Sequence, residues 1–322
     1  MTEPLLRRLH ARGDRITVGA LPWVAPVYRA MPQVAEVIEF PFAHGGLQWR
    51  QRWQLARQIK GRFDCAILCP NSLKSALLPF LAGITERVGY LGEARFGLLT
   101  QRLRNPPKGQ RPPMVAFYSA LSGEADVAND RPQLHLAALD VDAALNALSL
   151  TRLRYHVFAP GAEYGEAKRW PARHFAQLAL DLDLPVVLLG SGKEAEMCDS
   201  IADQVNAQRP GQCLNLAGKT TLAQALAVIA ACKSMVSNDS GLMHVAAGFG
   251  VAQVAIFGSS SPLHTPPLNA RARVLWLKTD AGYQPPLDCA PCFERVCPLG
   301  HTRCLNDILP AQVKPLMALP GV

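Results

Sequence analysis

The sequence of 322 residues is long enough for about two domains, and its 49% hydrophobic residues can form substantial cores. Its net charge of +8 is concentrated in the first half, where residues 50–111 contain 12 basic and 3 acidic side chains. Such a surface can bind nucleic acid, an anionic membrane or an acidic substrate, or it can simply keep the protein in solution. Nucleic acid is the weakest of these partners, because no nucleic-acid-binding motif accompanies the charge and only 7% of the residues are aromatic.

The sequence contains neither a secretory signal peptide nor a membrane-spanning segment. Its first residues alternate charged and apolar side chains, and its longest apolar run, residues 75–84, is too short to cross a bilayer. These features predict a cytoplasmic protein that touches membranes only peripherally. The nine cysteines are then expected to be reduced rather than joined in disulfides.

The first half of the chain predicts a somewhat irregular α/β domain. Its first residues, 1–9, already have the pattern of a helix. The predicted strands and further helices follow in this order: strands 15–20 and 36–39, helix 48–60, strand 65–69, and helices 72–81 and 113–121. Residues 129–150 mix a proline, polar patches and a short helix at 140–148, and the predicted domains are therefore 1–150 and 151–322.

The second half alternates strands and helices regularly. Short Val- and Leu-rich runs predict strands at 155–158, 185–189, 213–216, 234–236, 253–257 and 273–278. Amphipathic patterns between them predict helices at 172–182, 193–207, 222–231 and 241–247. Strands that are apolar on both faces and alternate with helices indicate a doubly wound parallel sheet. Ligands of such sheets bind at the carboxyl ends of the strands.

A candidate anion site lies where the predicted strand 234–236 runs into the helix at 241–247. Asp239 and Ser240 are good N-cap residues, and Gly241 allows a ligand to approach the backbone. The free N–H groups of a helix start attract anions, and His244 lies on the first turn of the same helix. The alternative is an ordinary capped helix.

A second glycine-containing turn, at 160–171, also connects a strand to a helix. It contains Gly161, Ala162, Lys168 and Arg169. Cations at a helix start oppose the helix dipole, so Lys168 is predicted to bind a phosphate rather than to be a solvated charge. Asp239 is expected to cap its own helix and to bond sugar hydroxyls.

Two further strand ends offer candidate ligand contacts. Gly190 and Ser191 follow the strand 185–189 and are candidates to line a nucleotide, with a plain turn as the alternative. In the first half, Asn71, Ser72 and Lys74 stand between a strand and a helix. Together with Arg87 and Arg95 they form a candidate site for an acidic acceptor. The alternative there is a capped helix with surface arginines.

Four cysteines cluster near the end of the chain. Cys289, Cys292, Cys297 and Cys304, with His301 between the last two, are soft ligands of the kind that hold a structural zinc ion. Their spacing is not that of a standard zinc finger or ribbon. Plain reduced thiols and redox chemistry are the alternatives.

Several segments together resemble a known family. The segments P-G-A-E-Y-G-E-A-K-R-W-P at 160–171 and N-D-S-G-L-M-H-V-A-A at 238–247 are similar to donor-binding signatures of the ADP-heptose lipopolysaccharide heptosyltransferases, glycosyltransferase family 9. The segments P-N-S-L-K-S-A at 70–76 and R-V-G-Y at 87–90 also match. The resemblance extends from about residue 5 to the C-terminus and is strongest to the branch that adds the second heptose.

This resemblance implies a GT-B fold, with two Rossmann-like domains facing each other across a cleft. ADP-heptose is expected in the C-terminal domain, and an acceptor of the heptosyl-Kdo2-lipid A type in the N-terminal domain. The implied reaction moves L-glycero-D-manno-heptose onto the first heptose of the lipopolysaccharide inner core with inversion, at the cytoplasmic face of the inner membrane. Lys168 and His244 would support the departure of ADP, and because no carboxylate-rich metal motif is present, no catalytic cofactor is expected.

One departure from the family pattern concerns the start of the chain. Family members begin with a strand, a glycine loop and the Asp that serves as general base, whereas residues 1–9 here already predict the helix that follows these elements. The first strand is therefore expected to be missing, the base to lie before Met1, and the 322-residue chain to bind its donor but turn over poorly. Two alternatives remain within this pattern, namely transfer of the first heptose and a catalytically impaired nucleotide-sugar-binding protein. An NAD-dependent dehydrogenase is excluded, because no G-x-G-x-x-G follows a strand.

Overall fold

The computed structural model describes residues 1–43, 46–107, 110, 112–124 and 130–318. The chain divides into two compact units, Met1–Asp130 and Arg131–Val322. This division lies before the predicted boundary near Leu150, because helix α6 (Ala138–Ala147) packs against helix α9 (Leu222–Ala231) of the second unit. No helix of the described residues has the length and apolar composition needed to cross a bilayer.

The first unit alternates short strands and helices. Its strands are β1 (Ile16–Ala20), β2 (Val34–Glu39), β3 (Cys65–Leu68), β4 (Glu86–Tyr90) and β5 (Gln101–Leu103). Its helices are α1 (Glu3–Ala11), α2 (Ala25–Arg29), α3 (Trp49–Ile59), α4 (Leu73–Leu81) and α5 (Met114–Ser119). The helix predicted at residues 1–9 is confirmed as α1. The sequence did not predict α2, β4 or β5, because the two strands carry charged residues instead of an apolar run and α2 is too short for a periodic pattern.

The strands of the first unit form two separate parallel sheets. One contains β1 and β2, and the other has the order β3-β4-β5. In the described part of the chain, no strand pairs with the second edge of β1 or of β3. A cavity of about 490 Å³ is lined by residues of both sheets, including Thr17 and Gly19 of β1 and Ala66 and Leu68 of β3. The interior of the first unit is therefore incompletely filled.

The second unit is built on one six-stranded parallel sheet with the order β11-β10-β9-β6-β7-β8. These strands are β6 (His156–Ala159), β7 (Val186–Leu188), β8 (Cys213–Asn215), β9 (Ser234–Asn238), β10 (Gln253–Ile256) and β11 (Ala272–Leu275). The remaining helices are α7 (Ala172–Leu180), α8 (Ala195–Asn206), α10 (Gly241–Gly248), α11 (Arg303–Asn306) and α12 (Pro310–Ala318). The predicted doubly wound sheet is confirmed. The sequence missed α11, which is only one turn long, and α12, which contains an internal proline.

The order of the strands places a topological switch point at the centre of this sheet. From β6 the chain moves outward to β7 and β8, and it then returns to the other side of β6 to form β9, β10 and β11. The carboxyl ends of β6 and β9 are therefore neighbours, and the loops that follow them diverge to opposite faces. Ligands of open parallel sheets bind at this kind of crevice.

Candidate functional site

The loops that follow β6 and β9 are joined by an ion pair. Lys168, in the loop after β6, places its Nζ 2.7 Å from Oδ2 of Asp239, the residue after β9. The Lys168 side chain is 18% exposed and that of Asp239 is 8% exposed, so solvent screens the pair only weakly. The ammonium group is thereby held at the switch point of the sheet, where an anionic ligand would bind.

The ion pair corrects the predicted role of Asp239. The N-cap of α10 is Ser240, and the helix has no side-chain capping bond. The Asp239 carboxylate instead accepts hydrogen bonds from Lys168 and from Thr265 Oγ1, the latter at 3.3 Å. Asp239 therefore orients the lysine and does not cap its own helix.

Asn238 fixes the loop that carries Lys168. This last residue of β9 is fully buried, and its Nδ2 donates to the carbonyl oxygen of Pro160 at 2.7 Å. Its Oδ1 accepts from the backbone N–H of Trp170 at 2.9 Å. The Trp170 ring is itself fully buried and donates from Nε1 to the carbonyl of Ile308 at 2.8 Å. Both ends of the loop are thus held, so the position of Lys168 is set before any ligand arrives.

Glycine is favoured at three positions of the two loops, and the physical reason differs between them. A Cβ on Gly161 would lie 2.7 Å from the Glu194 side chain, and one on Gly165 would lie 2.3 Å from the carbonyl oxygen of Arg295. These two glycines therefore allow the chain to pack against itself. A Cβ on Gly241 would meet nothing within 4 Å. The first residue of α10 is accordingly open to an approaching ligand, as the sequence predicted.

Each of the two loops contains a buried hydrogen-bond donor without a partner among the described residues. These donors are Ser240 Oγ and Arg169 Nε. The Arg169 guanidinium donates from another nitrogen to the carbonyl of Ala162 at 3.3 Å. Buried polar atoms without partners are rare in proteins, and here they accompany the free N–H groups at the start of α10. Lys168, Arg169, Ser240 and α10 together have the donors and the charge that bind phosphate.

His244 contributes a neutral ring rather than a charge. It lies on the first turn of α10 and is half-buried. Burial lowers the pKa of His244 to about 4, so the imidazole is neutral near pH 7. A neutral imidazole can donate or accept one hydrogen bond at the site.

Gly190 and Ser191 lie at the carboxyl end of β7, next to β6. The backbone N–H of Ser191 donates to Glu194 Oε2 at 2.7 Å, and Ser191 Oγ accepts from the N–H of Lys193 at 3.3 Å. This capping box starts a short 3-10 helix, Gly192–Glu194. Because Glu194 also packs against Gly161, this turn adjoins the loop after β6.

In the first unit, the structure keeps four of the five predicted acceptor residues together, because Arg95 donates a hydrogen bond to Asn71 Oδ1 at 3.4 Å. Asn71, Ser72 and Lys74 stand at the junction of β3 and α4, as predicted. Arg95 is fully buried, and its guanidinium donates to the carbonyl of Pro70 at 2.8 Å and to Ser75 Oγ at 3.3 Å. The prediction that Arg95 offers its charge to an acceptor is therefore corrected, since the side chain supports the loop that carries Asn71.

Arg87 lies near the amino ends of the strands of the same sheet, whereas Asn71 lies at their carboxyl ends. It is the second residue of β4 and pairs with Ala66 near the start of β3, whereas Asn71 follows the carboxyl end of β3. Its Nε donates to the carbonyl of Leu98 at 2.6 Å. The predicted grouping of Arg87 with Asn71 is wrong. The carboxyl ends of parallel strands lie on the same side of a sheet, and Arg87 lies near the amino ends instead.

The four clustered cysteines line one small cavity of about 20 Å³, together with His301. Burial, followed by the neighbouring cysteines, raises the pKa of Cys304 to about 11. Among the described residues, however, no group of three or more His, Cys, Asp or Glu side chains is arranged to hold a metal ion. The cysteines are brought together as predicted, but their geometry is not that of a preformed metal site.

Three residues that shape this site were not predicted from the sequence. Asn238 and Thr265 contact the loops as described, and the ring of Tyr164 lies 5.4 Å from Lys168 Nζ. Asn238 carried a usable signal, because it is a polar residue at the end of an apolar strand inside a motif already recognised. Tyr164 also lies inside a recognised segment, residues 160–171, but no pattern distinguished it there, and Thr265 lies in a loop without such a motif.

Comparison with known proteins decides the family. The family model of glycosyltransferase family 9 (heptosyltransferase) matches residues 52–302. The chain belongs to this family. Lipopolysaccharide heptosyltransferase 2 of Escherichia coli strain K12 is 41% identical over 97% of this chain and 92% of its own length. Lipooligosaccharide heptosyltransferase 2 of Haemophilus influenzae is 39% identical over 81% of this chain and 80% of its own length.

A solved structure supports the same assignment. The structure of E. coli ADP-heptose lps heptosyltransferase II matches with a TM-score of 0.81 and 38% identity, covering 98% of this chain and 94% of that chain. The chain is therefore a glycosyltransferase, and the family and the GT-B fold class predicted from the sequence are confirmed.

Proposed function

We propose that this glycosyltransferase moves L-glycero-D-manno-heptose from ADP-heptose onto the first heptose of the lipopolysaccharide inner core, with inversion at the anomeric carbon. The relatives named heptosyltransferase 2, and the E. coli structure named for ADP-heptose, support this choice of donor and acceptor. The single observation that carries the proposal is the Lys168–Asp239 pair, which lies beside the open start of α10 at the switch point of the second unit.

The chemistry follows from where negative charge develops. The oxygen of the acceptor hydroxyl forms a bond to the anomeric carbon and its proton passes to a general base. The bond from the anomeric carbon to the phosphate oxygen breaks, and ADP leaves with the electron pair. The departing diphosphate receives charge and hydrogen bonds from Lys168, from the backbone N–H groups of Ser240 and Gly241, and from the neutral ring of His244. Arg169, Gly161, Ala162, Gly190 and Ser191 surround the nucleotide in this arrangement.

Asp239 has a defined part in the same proposal. Its carboxylate compensates the Lys168 ammonium while the site is free of ligand, because the two side chains are mostly buried. When the diphosphate takes over Lys168, the carboxylate becomes available to accept hydrogen bonds from hydroxyls of the bound sugar. This exchange lets the site hold a lysine at low solvent exposure without an unpaired charge.

The acceptor is assigned to the first half of the chain. We infer that residues 151–322 take the donor and residues 1–150 take an acceptor of the heptosyl-Kdo2-lipid A type, at Asn71, Ser72 and Lys74. Such an acceptor carries acidic groups and a lipid anchor, and residues 50–111 hold 12 basic and 3 acidic side chains. The protein then acts in the cytoplasm, in peripheral contact with the inner membrane.

The Lys168→Ala variant tests the donor site. Removing a cation from a weakly solvated phosphate site should weaken binding of ADP-heptose by about 10- to 100-fold. Isothermal titration calorimetry with ADP-heptose measures this change, and Lys314→Ala, which removes a lysine from α12, is the matched control. An unchanged dissociation constant in Lys168→Ala would contradict the proposed donor site.

The acceptor preference is tested separately. Wild-type protein should transfer heptose to an acceptor that already carries one heptose, and not to the same acceptor ending in Kdo. Transfer to the Kdo-terminated acceptor alone would favour the alternative activity, addition of the first heptose. Binding of ADP-heptose without transfer to either acceptor would favour a nucleotide-sugar-binding protein.

A structural zinc ion at Cys289, Cys292, Cys297 and Cys304 is a further proposal. It is supported by the shared cavity, which brings the four thiols and His301 together, because these side chains are soft ligands of the kind that bind zinc. The side chains would have to rotate to form a tetrahedral site. Elemental analysis of purified protein should find about one zinc per chain, and Cys289→Ser should lower this content whereas Cys198→Ser should not. Metal-free protein with four freely titrating thiols would contradict it.

A further inference from the structure

Helix α3 has one face that belongs to the core of the first unit. Leu55, Ala56 and Ile59 of this helix are buried in an apolar cluster with residues of α4, including Leu78. Their spacing of three and four residues is that of an amphipathic helix. The opposite side of α3 therefore points away from the core, and its composition decides what it can contact.

That opposite side carries exposed tryptophan and arginine. Trp49 is 50% exposed and Trp53 is 47% exposed, and the two lie one turn apart. Arg50 and Arg57 are also exposed. With about 100° of rotation per residue, all four side chains fall within about 100° of the helix circumference. We call these four residues the Trp–Arg face.

The charge of the Trp–Arg face is not compensated locally. Helix α3 has no acidic residue. Among the described residues, no carboxylate forms an ion pair with Arg50 or Arg57, whereas the exposed Arg29 and Arg62 pair with Glu39 and Glu36. The Arg57 guanidinium instead lies 4.8 Å from the centre of the Trp53 ring. The face thus combines large amphipathic rings with free positive charge.

Tryptophan and arginine on one face of a surface helix suit the boundary between water and lipid. The indole ring prefers the headgroup level of a bilayer, and the long arginine side chain keeps its charge near lipid phosphates. A helix of eleven residues lying flat would contact the surface without entering the hydrocarbon core. Leu47, two residues before α3 begins, is also 51% exposed.

We propose that the Trp–Arg face of α3 is the surface by which this protein docks on an anionic lipid bilayer. The partner follows from charge complementarity, since a positive face with no acidic neighbour on its helix fits a negatively charged membrane surface. The proposal rests on the proposed function in one respect: a lipid-linked acceptor has to be reached at a membrane.

Vesicle binding tests the proposal directly. The 322-residue protein is sedimented with vesicles of phosphatidylcholine alone and with vesicles that also contain phosphatidylglycerol. Wild-type protein should bind the anionic vesicles more tightly, and raised salt should weaken this binding. The double variant Arg50→Gln/Arg57→Gln should bind them about 25-fold more weakly, at about fivefold for each arginine. Trp49→Ala/Trp53→Ala should also lose binding.

Matched controls are available on the second unit. Arg152→Gln removes an arginine that pairs with Asp142, and Leu139→Ala removes an apolar side chain that is 82% exposed. Both should bind vesicles as the wild type does. Equal binding by the Trp–Arg variants and these controls would overturn the proposal, as would equal binding of wild-type protein to neutral and anionic vesicles.

Two further measurements separate this proposal from the proposed function. Affinity for ADP-heptose, and transfer to a water-soluble acceptor without its acyl chains, should be unchanged in both Trp–Arg double variants. Loss of transfer to the soluble acceptor would place α3 in the acceptor site and overturn the membrane assignment. Should a double variant fold poorly, wild-type protein still provides a test, because vesicle binding that does not weaken in raised salt would overturn the proposal.

Discussion

The two units of this protein hold their candidate ligand residues in different ways. In the second unit, Asn238 and the Lys168–Asp239 pair are fixed by contacts of 2.7–2.9 Å at the centre of a continuous sheet. In the first unit, the hydrogen bonds of the Asn71 side chain to other described residues are 3.4 and 3.5 Å long, and a cavity lined by two separate sheets lies nearby. The loops after β6 and β9 are therefore preorganised, whereas the first unit offers a looser arrangement.

The difference has an energetic origin. The four central strands of the second unit, β6, β7, β9 and β10, are buried along their whole length, and core residues such as Phe158 and Trp170 are fully buried. Buried polar groups in such surroundings contribute to positioning only when they are fully hydrogen-bonded. In the first unit, the inner edges of β1 and β3 lack strand partners within the described residues. Fewer contacts there fix the polar side chains.

The largest expected effect concerns the buried amide of Asn238. Asn238→Ala leaves the N–H of Trp170 and the carbonyl of Pro160 buried without partners, and this should reduce the free energy of unfolding by about 2–5 kcal/mol. Chemical denaturation measures the loss. Asn71→Ala, the counterpart in the first unit, should cost less than about 1 kcal/mol, because it removes only long contacts. Equal losses would refute the difference between the units.

A smaller effect should appear on acidification. Burial, with the charge of Lys233 second, lowers the pKa of His156 in β6 from 6.5 to about 4. Between these values the unfolded chain binds a proton that the folded chain does not, so stability is complete above pH 6.5 and falls as the pH is lowered towards 4. One such group should cost about 2 kcal/mol at pH 5 relative to pH 7.

The variant His156→Phe checks this assignment. It keeps a ring in β6 but cannot be protonated, so the dependence of unfolding on pH should become shallower. It should not vanish, because the pKa of His244 is also about 4 and contributes over the same range. An unchanged dependence in His156→Phe would show that burial of this ring does not govern the acid sensitivity of the second unit.

The smallest effect concerns packing in the two units. Ala176 of α7 is 4% exposed within the main core, and Ala176→Leu should destabilise the protein by about 1–3 kcal/mol through overpacking. Ala66 of β3 lines the cavity of the first unit, and Ala66→Leu should change stability by less than about 1 kcal/mol because its added carbons enter empty space. Thermal unfolding compares the two variants. A larger loss for Ala66→Leu would indicate that the cavity is closed in solution.

The sequence predicted the second unit far better than the first. The runs at 155–158 and 253–257 are apolar on both faces, and this pattern is typical of central parallel strands. Their positions agree with β6 and β10 within one residue at each end. In the first unit, β4 and β5 carry arginines and glutamine, so periodicity alone could not identify them.

The sequence predicted individual residues of the candidate site but not the contacts between them. Lys168 and Asp239 were both singled out, yet their ion pair joins residues 71 positions apart and has no local signal. Arg95 was expected on the surface because arginine usually is, but its guanidinium satisfies backbone carbonyls at a strand end. Long-range hydrogen bonding decided both cases.

The sequence by itself determined the family, the alternation of strands and helices in the second half, and the residue types needed to bind a diphosphate. These follow from local patterns, since apolar runs specify buried strands and glycine-rich turns before helices specify anion sites. The tertiary structure alone decided that the loops after β6 and β9 meet, that Asp239 pairs with Lys168, and that Arg87 lies away from Asn71. Strand order sets these contacts, because it determines which carboxyl ends become neighbours.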